Sequence, residues 1–151
     1  MIPRPPTNMN SLINEILALL EDGRKGYQEA SERAEDASVK LHLNELSMAR
    51  IQLVDDLARA SDEEPAGGTL KGTLHRAWIE VRDAIPTSDN TNVLRECERG
   101  ETFLADRYKD ALNDPEIPAS LKTLLEKQRN EVIANLAVIV SMRRTLERTE
   151  A

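Results

Sequence analysis

An all-α fold of two helical hairpins joined by a long crossover is predicted by three features of this 151-residue sequence. Apolar residues recur at three- and four-residue steps in four long segments, the period of one face of an α-helix. The links between those segments run short, long, short. The composition, 40% hydrophobic and 31% charged with seven prolines and six glycines, is that of a soluble helical protein.

The opening "MIPRPPTN" carries three prolines and no signal-peptide apolar segment, so residues 1–10 are expected to form a mobile tail. The first helix is predicted over about residues 11–34, capped by Asn10 or Ser11. Ile13, Ile16, Leu20, Gly23, Tyr27, Ala30 and Ala34 share one face of it. The second helix is predicted over about 38–60, after Asp36. Val39, Leu43, Leu46, Leu53 and Leu57 form its stripe, and Arg50 interrupts it.

"SDEEPAGGT" then breaks the pattern. A shorter crossover helix is predicted over about 70–85 through Leu70, Leu74, Trp78, Val81 and Ile85, and Pro86 stops it. The third long helix, about 90–112, places Leu94, Cys97, Glu101, Leu104, Tyr108 and Ala111 in line. After "NDPEIP" the fourth, about 119–147, does the same with Leu121, Leu125, Gln128, Val132, Asn135, Ile139, Met142 and Leu146.

Four helices of similar length suit a four-helix bundle, with one domain spanning 11–148. The short links make the first and last pairs antiparallel hairpins, and the long middle link makes a crossover, which is the ferritin-like arrangement. "RKGYQEA" and "ERGETFL" place Gly26 and Gly100 at corresponding points of the two hairpins, either a sign of close helix approach or a pair of tolerated surface glycines.

A net charge of −7 with interspersed basic residues argues against a nucleic-acid partner, and 3% aromatics against a base-stacking platform. The longest apolar stretch, "LINEILALL", is too short to span a membrane. A cytoplasmic location is the expectation. The single cysteine, Cys97, is read as a small core residue. "EDGRK", "EASERAED" and "RRTLERTE" mix signs at helical spacing and read as solvated faces. A homo-oligomer formed through a helix face is the partner expected.

Polar residues gather in the stripes near the middle of the bundle. Tyr27, Arg50, Glu101, Tyr108, Gln128 and Asn135 are predicted to form a structural layer, Glu101 pairing with Arg50, since an unpaired buried carboxylate is costly. The alternatives are a residual metal site of Glu101, Glu45 and Glu131, taking iron, manganese or zinc, and a small-ligand pocket. Di-metal bundles use Glu-x-x-His pairs. Here Glu45 is followed by Met48 and Glu131 by Ala134 where each His would stand. His42 lies at the reversed spacing and His75 in the crossover. No catalytic residue and no resident cofactor is predicted. The function expected is a non-catalytic bundle in an interaction role, with a metal-binding protein or oxidoreductase as the alternative.

"GTLKGTLHRAWIEVRDAI", "LRECERGETFLADRYKDAL" and "LLEKQRNEVIANL", with "DGRKGYQEA" in the first helix, resemble a bacterial family of ferritin-like four-helix bundles, domain of unknown function 2383. The resemblance runs from about Ser11 to Arg144. It implies a ferritin-like fold and a bacterial, cytoplasmic, stress-associated protein, and it supplies no reaction. Family members often carry a histidine in the fourth helix near the position of Leu136, which is absent here. The resemblance carries over to Glu101, Glu45 and Glu131 only.

Overall fold

The computed structural model describes residues 8–61 and 90–150, and every regular element among them is an α-helix. They are α1 (Asn8–Arg33), α2 (Ala37–Ser61), α3 (Asn90–Leu112) and α4 (Ala119–Glu150). The expected crossover helix at 70–85, with Trp78 and His75, lies outside the described residues, as does most of the expected tail. Helix α1 starts at Asn8, so Asn10 and Ser11 stand in its first turn instead of capping it.

Local chemistry explains the short turns. Asp36 closes the start of α2: its Oδ1 accepts the Val39 N–H at 3.0 Å, satisfying one of the free amides of the first turn. Lys40 reaches back so that its Nζ donates to the carbonyls of Ser31 (2.8 Å) and Glu32 (3.1 Å), the last of α1. Between α3 and α4, Asp114 Oδ1 accepts the Glu116 N–H at 2.9 Å, and buried Ile117 ties the turn to the core.

Side-chain pairs fix the helix directions. Ser47 Oγ of α2 donates to Arg24 O of α1 at 2.8 Å, while Ser31 Oγ donates to Lys40 O at 2.9 Å, so α1 and α2 run antiparallel. Arg129 Nε donates to Ala105 O at 3.2 Å and Arg143 Nε to Glu98 at 2.6 Å, and α3 and α4 run antiparallel as well. Arg107 meets Glu15 at 3.7 Å, and Asn90 Oδ1 accepts the Glu35 N–H at 3.0 Å, which sets α3 antiparallel to α1. Helices α2 and α3 therefore point the same way. The end of α2 lies at the opposite end of the bundle from the start of α3.

The helices pack as α1 with α2, α3 with α4, α1 with α3 and α2 with α4, the arrangement of a four-helix bundle in which α2 and α3 face each other across a diagonal. Among the described residues, apolar side chains fill two separate clusters. One holds Ile13, Ile16, Leu17, Leu20, Leu57, Leu104 and Leu125 among others. The other holds Tyr27, Val39, Leu43, Leu94, Cys97 and Ile139. Arg50 and Glu101 stand between them.

Candidate functional site: a charged layer in the core

The residue that makes the layer possible is Arg50. Its position in the α2 stripe points it inward, and its long side chain crosses the bundle so that Nη2 donates to Glu101 Oε1 on α3. Both partners are buried, at 1% and 2% exposure. A carboxylate in this apolar surrounding requires a partner, and the guanidinium supplies the opposite charge and a donor together.

The surroundings shape the cation. The Arg50 guanidinium lies over the Tyr27 ring, 5.4 Å from its centre, where the electron-rich ring face attracts positive charge. Gly23 leaves room on the α1 side: a Cβ there would stand 3.6 Å from Arg50 Nε. The Gly26 and Gly100 pair gave the sequence signal for close approach, and the glycine that meets Arg50 is Gly23. Arg50 Nε and Nη1 and Glu101 Oε2 have no hydrogen-bond partner among the described residues.

A second network runs beside the pair. Tyr108 Oη donates to Gln128 Oε1 at 2.8 Å, and Gln128 Nε2 donates to the Leu53 carbonyl at 3.1 Å, linking α3, α4 and α2. Asn135, assigned to the same layer by periodicity, is only half-buried. Asp22 is one buried polar residue that sequence reasoning missed, at 2% exposure. It sits in "EDGRK", which reads as a solvated face, but it immediately precedes Gly23 of the stripe.

Electrostatics keep the titratable neighbours protonated. Burial pushes the Cys97 thiol up to about 12, with the negative charge of Glu96 adding to the effect and Arg50 opposing it. Burial likewise raises the Tyr27 and Tyr108 hydroxyls above their ordinary value, against the pull of Arg50. Cys97 is therefore a neutral thiol inside the apolar cluster, without the thiolate character that nucleophilic chemistry needs.

The three carboxylates of the metal alternative do not converge. Glu45 is exposed and lies 3.8 Å from His42 on its own helix, Glu131 is exposed on α4, and Glu101 is held by Arg50. Among the described residues no group of three or more His, Cys, Asp or Glu is placed to hold a metal ion. The side chains present do not fit a di-metal centre. Arg50, in contact with Glu101, brings a positive charge that opposes a cation there.

One of the segments read as solvated, "RRTLERTE", carries contacts between helices instead. Arg143 is largely covered and binds Glu98 of α3 and Glu147 of its own helix, which raises its pKa through those hydrogen bonds. Glu147 is lowered by hydrogen bonds from Arg95 and Arg143. This cluster links the start of α3 to the end of α4. None of the four helices is long and apolar enough to cross a membrane.

The family model of a domain of unknown function, DUF2383, matches residues 8–114, which takes in α1, α2 and α3. No curated protein matches the chain. With the match covering well over half of its length, the chain belongs to the DUF2383 family.

Proposed function

We propose that this protein is a ferritin-like bundle without catalytic activity, serving an interaction or stress-related role in the bacterial cytoplasm, and that its charged layer is structural. The observation that carries the reading is the Arg50–Glu101 pair. Glu101 stands where a di-metal bundle places a lone carboxylate ligand. Here that carboxylate is committed to a guanidinium from the diagonal helix. The helix directions support the ferritin-like topology, since α2 ends at the opposite end of the bundle from the start of α3.

The test is elemental analysis of protein purified without chelator, for iron, manganese and zinc, alongside a Glu101→Gln variant. The expected result is no stoichiometric metal in either. Stoichiometric metal in the native protein that disappears in the variant would overturn the structural reading and favour a metal-binding protein or oxidoreductase.

A further inference from the structure

A helix in a four-helix bundle has an outer side that its neighbours leave to water, and α1 departs from this. Two residues make about 200° of turn in an α-helix, so the positions two before and two after a core residue point away from the core. Around Arg50 of α2 those positions are Met48 and Gln52, around Glu101 of α3 they are Arg99 and Phe103, and around Val132 of α4 they are Asn130 and Ala134, all exposed. Around Leu20 of α1 they are Ala18 and Asp22, at 1% and 2% exposure. Gly26, four residues further on, is buried too, and no residue from Glu15 to Tyr27 is exposed. The other three helices do not lie over this side. Helices α2 and α3 hold the two flanks of α1, where Arg24 O accepts from Ser47 Oγ and Glu15 meets Arg107, and α4 stands across the diagonal.

The path of the chain supplies a cover. Residues 62–89 leave the end of α2 and must reach the start of α3, at the other end of the bundle and across its diagonal. The helices adjacent to both α2 and α3 are α1 and α4, so the path runs over the outer side of one or the other. The outer side of α4 is open, with Val138 41% exposed, and that of α1 is closed. Length agrees with the route. The 25 residues of α2 measure about 37 Å, the helix that spacing predicts over 70–85 about 24 Å and the covered stretch of α1 about 18 Å, which leaves 62–69 and 86–89 for the two corners. The sequence ahead of α1 is a poorer cover, since residues 1–7 bring only Met1 and Ile2 as large aliphatic side chains.

We infer that the crossover segment packs lengthwise on the outer face of α1, setting its stripe of Leu70, Leu74, Trp78, Val81 and Ile85 against the ridge of Ala18, Asp22 and Gly26. Ala18 and Gly26 are small enough to let a fifth helix come close, since the side chains at a contact set the distance between helix axes. Charge agrees. A carboxylate as buried as that of Asp22 calls for a cation. Lys71, His75 and Arg82 each directly follow a stripe residue, which puts all three along one edge of the stripe. The packing closes α1 to outside partners, so an interaction role falls to the other helices, where Leu41, Met48, Phe103 and Val138 stand in solvent.

Trp78 is the only tryptophan of the chain, so its fluorescence in the full-length protein reports this packing. The native protein is expected to show a blue-shifted emission maximum and weak quenching by acrylamide. Ala18→Lys, which puts a long cation under the stripe, is expected to shift the emission to the red and to raise quenching, while circular dichroism shows the helices of the bundle kept. Asp22→Asn, of nearly unchanged shape, is the milder probe: loss of the carboxylate is expected to loosen the packing and raise quenching in a protein that stays folded. Val138→Lys on the open side of α4 is expected to leave both signals as in the native protein. A native Trp78 as accessible as the free amino acid overturns the inference and hands the α1 face to the N-terminal tail. Native quenching retained in both α1 variants overturns it too, as does a red shift caused by Val138→Lys. Metal analysis of the charged layer is decided separately from any of these outcomes.

Discussion

Arg50 and Glu101 come from helices that are not neighbours: α2 and α3 face each other across the bundle, and the guanidinium–carboxylate pair bridges that diagonal through the centre of the core. Neither charge has an exit to water. Their energies are therefore coupled.

Arg50→Met alone is expected to destabilise the fold by about 3–5 kcal/mol, because it strands the Glu101 carboxylate in an apolar core. The double variant Arg50→Met/Glu101→Leu is expected to regain much of that loss, since neither charge then remains to be desolvated. Urea unfolding of the two single variants and the double closes the cycle. Additive losses would show that the pair does not interact.

Gly23 gives a prediction of opposite sign. A methyl group there would lie 3.6 Å from Arg50 Nε, an ordinary contact, and mid-helix glycine costs about 1 kcal/mol relative to alanine. Gly23→Ala is thus expected to stabilise by up to about 1 kcal/mol. Gly23→Leu must displace the guanidinium and is expected to destabilise by roughly 1–3 kcal/mol. Thermal unfolding of both variants distinguishes a site with room for one methyl from one with room for none.

Tyr108→Phe removes the donor to Gln128 Oε1 and leaves a buried amide oxygen without its bond. The expected cost is about 1–3 kcal/mol, the penalty for an unsatisfied buried acceptor. A variant as stable as the native chain would show that Gln128 finds another donor.

Alkaline pH is expected to lower the stability of the fold with two successive onsets. Burial raises the Cys97 pKa from 9.0 to about 12, so the folded state holds that proton more tightly than the unfolded state does. The unfolded state then binds fewer protons above about pH 9, and stability falls with rising pH by up to about 1.4 kcal/mol per pH unit for this one group. Tyr27 and Tyr108 are raised from 10.0 and join above pH 10, steepening the loss. Urea midpoints measured from pH 7 upward track the decline. In Cys97→Ala the first onset should vanish, leaving a decline that begins near pH 10.

Helical periodicity alone placed Arg50, Glu101, Tyr108 and Gln128 in the core, because a position in a stripe points inward whatever residue occupies it. The partner of Glu101 came from a second argument, the cost of an unpaired buried carboxylate, which pointed to Arg50. The Arg50–Glu101 pairing depends on which helices share a diagonal, which is set by packing and not by spacing within one helix. Asp22 escaped notice because a charged run on a helix reads as solvated until a neighbouring helix covers it. Asn135 errs the other way: it keeps stripe spacing in a stretch of α4 where, past Val132, only Ile139 is fully buried among residues 133–149. The exposed face of α2 carries no such signal, since solvent-facing Leu41 and Met48 are visible only once the inward face is fixed.

The charged layer also gives the bundle an uneven distribution of strength along its length. On one side of Arg50 the apolar cluster is rich in leucine and isoleucine from all four helices. On the other it is smaller and includes Ala30, Ala34 and Cys97. The two compartments share few apolar contacts through the layer, so they are expected to open as separate cooperative units, the smaller one at lower free energy. Backbone amides near Val39, Leu94 and Ile139 should then exchange with solvent before those near Leu17, Leu57 and Leu125. The protein would breathe from the end where α3 begins, and the ion pair would mark the boundary at which that opening stops.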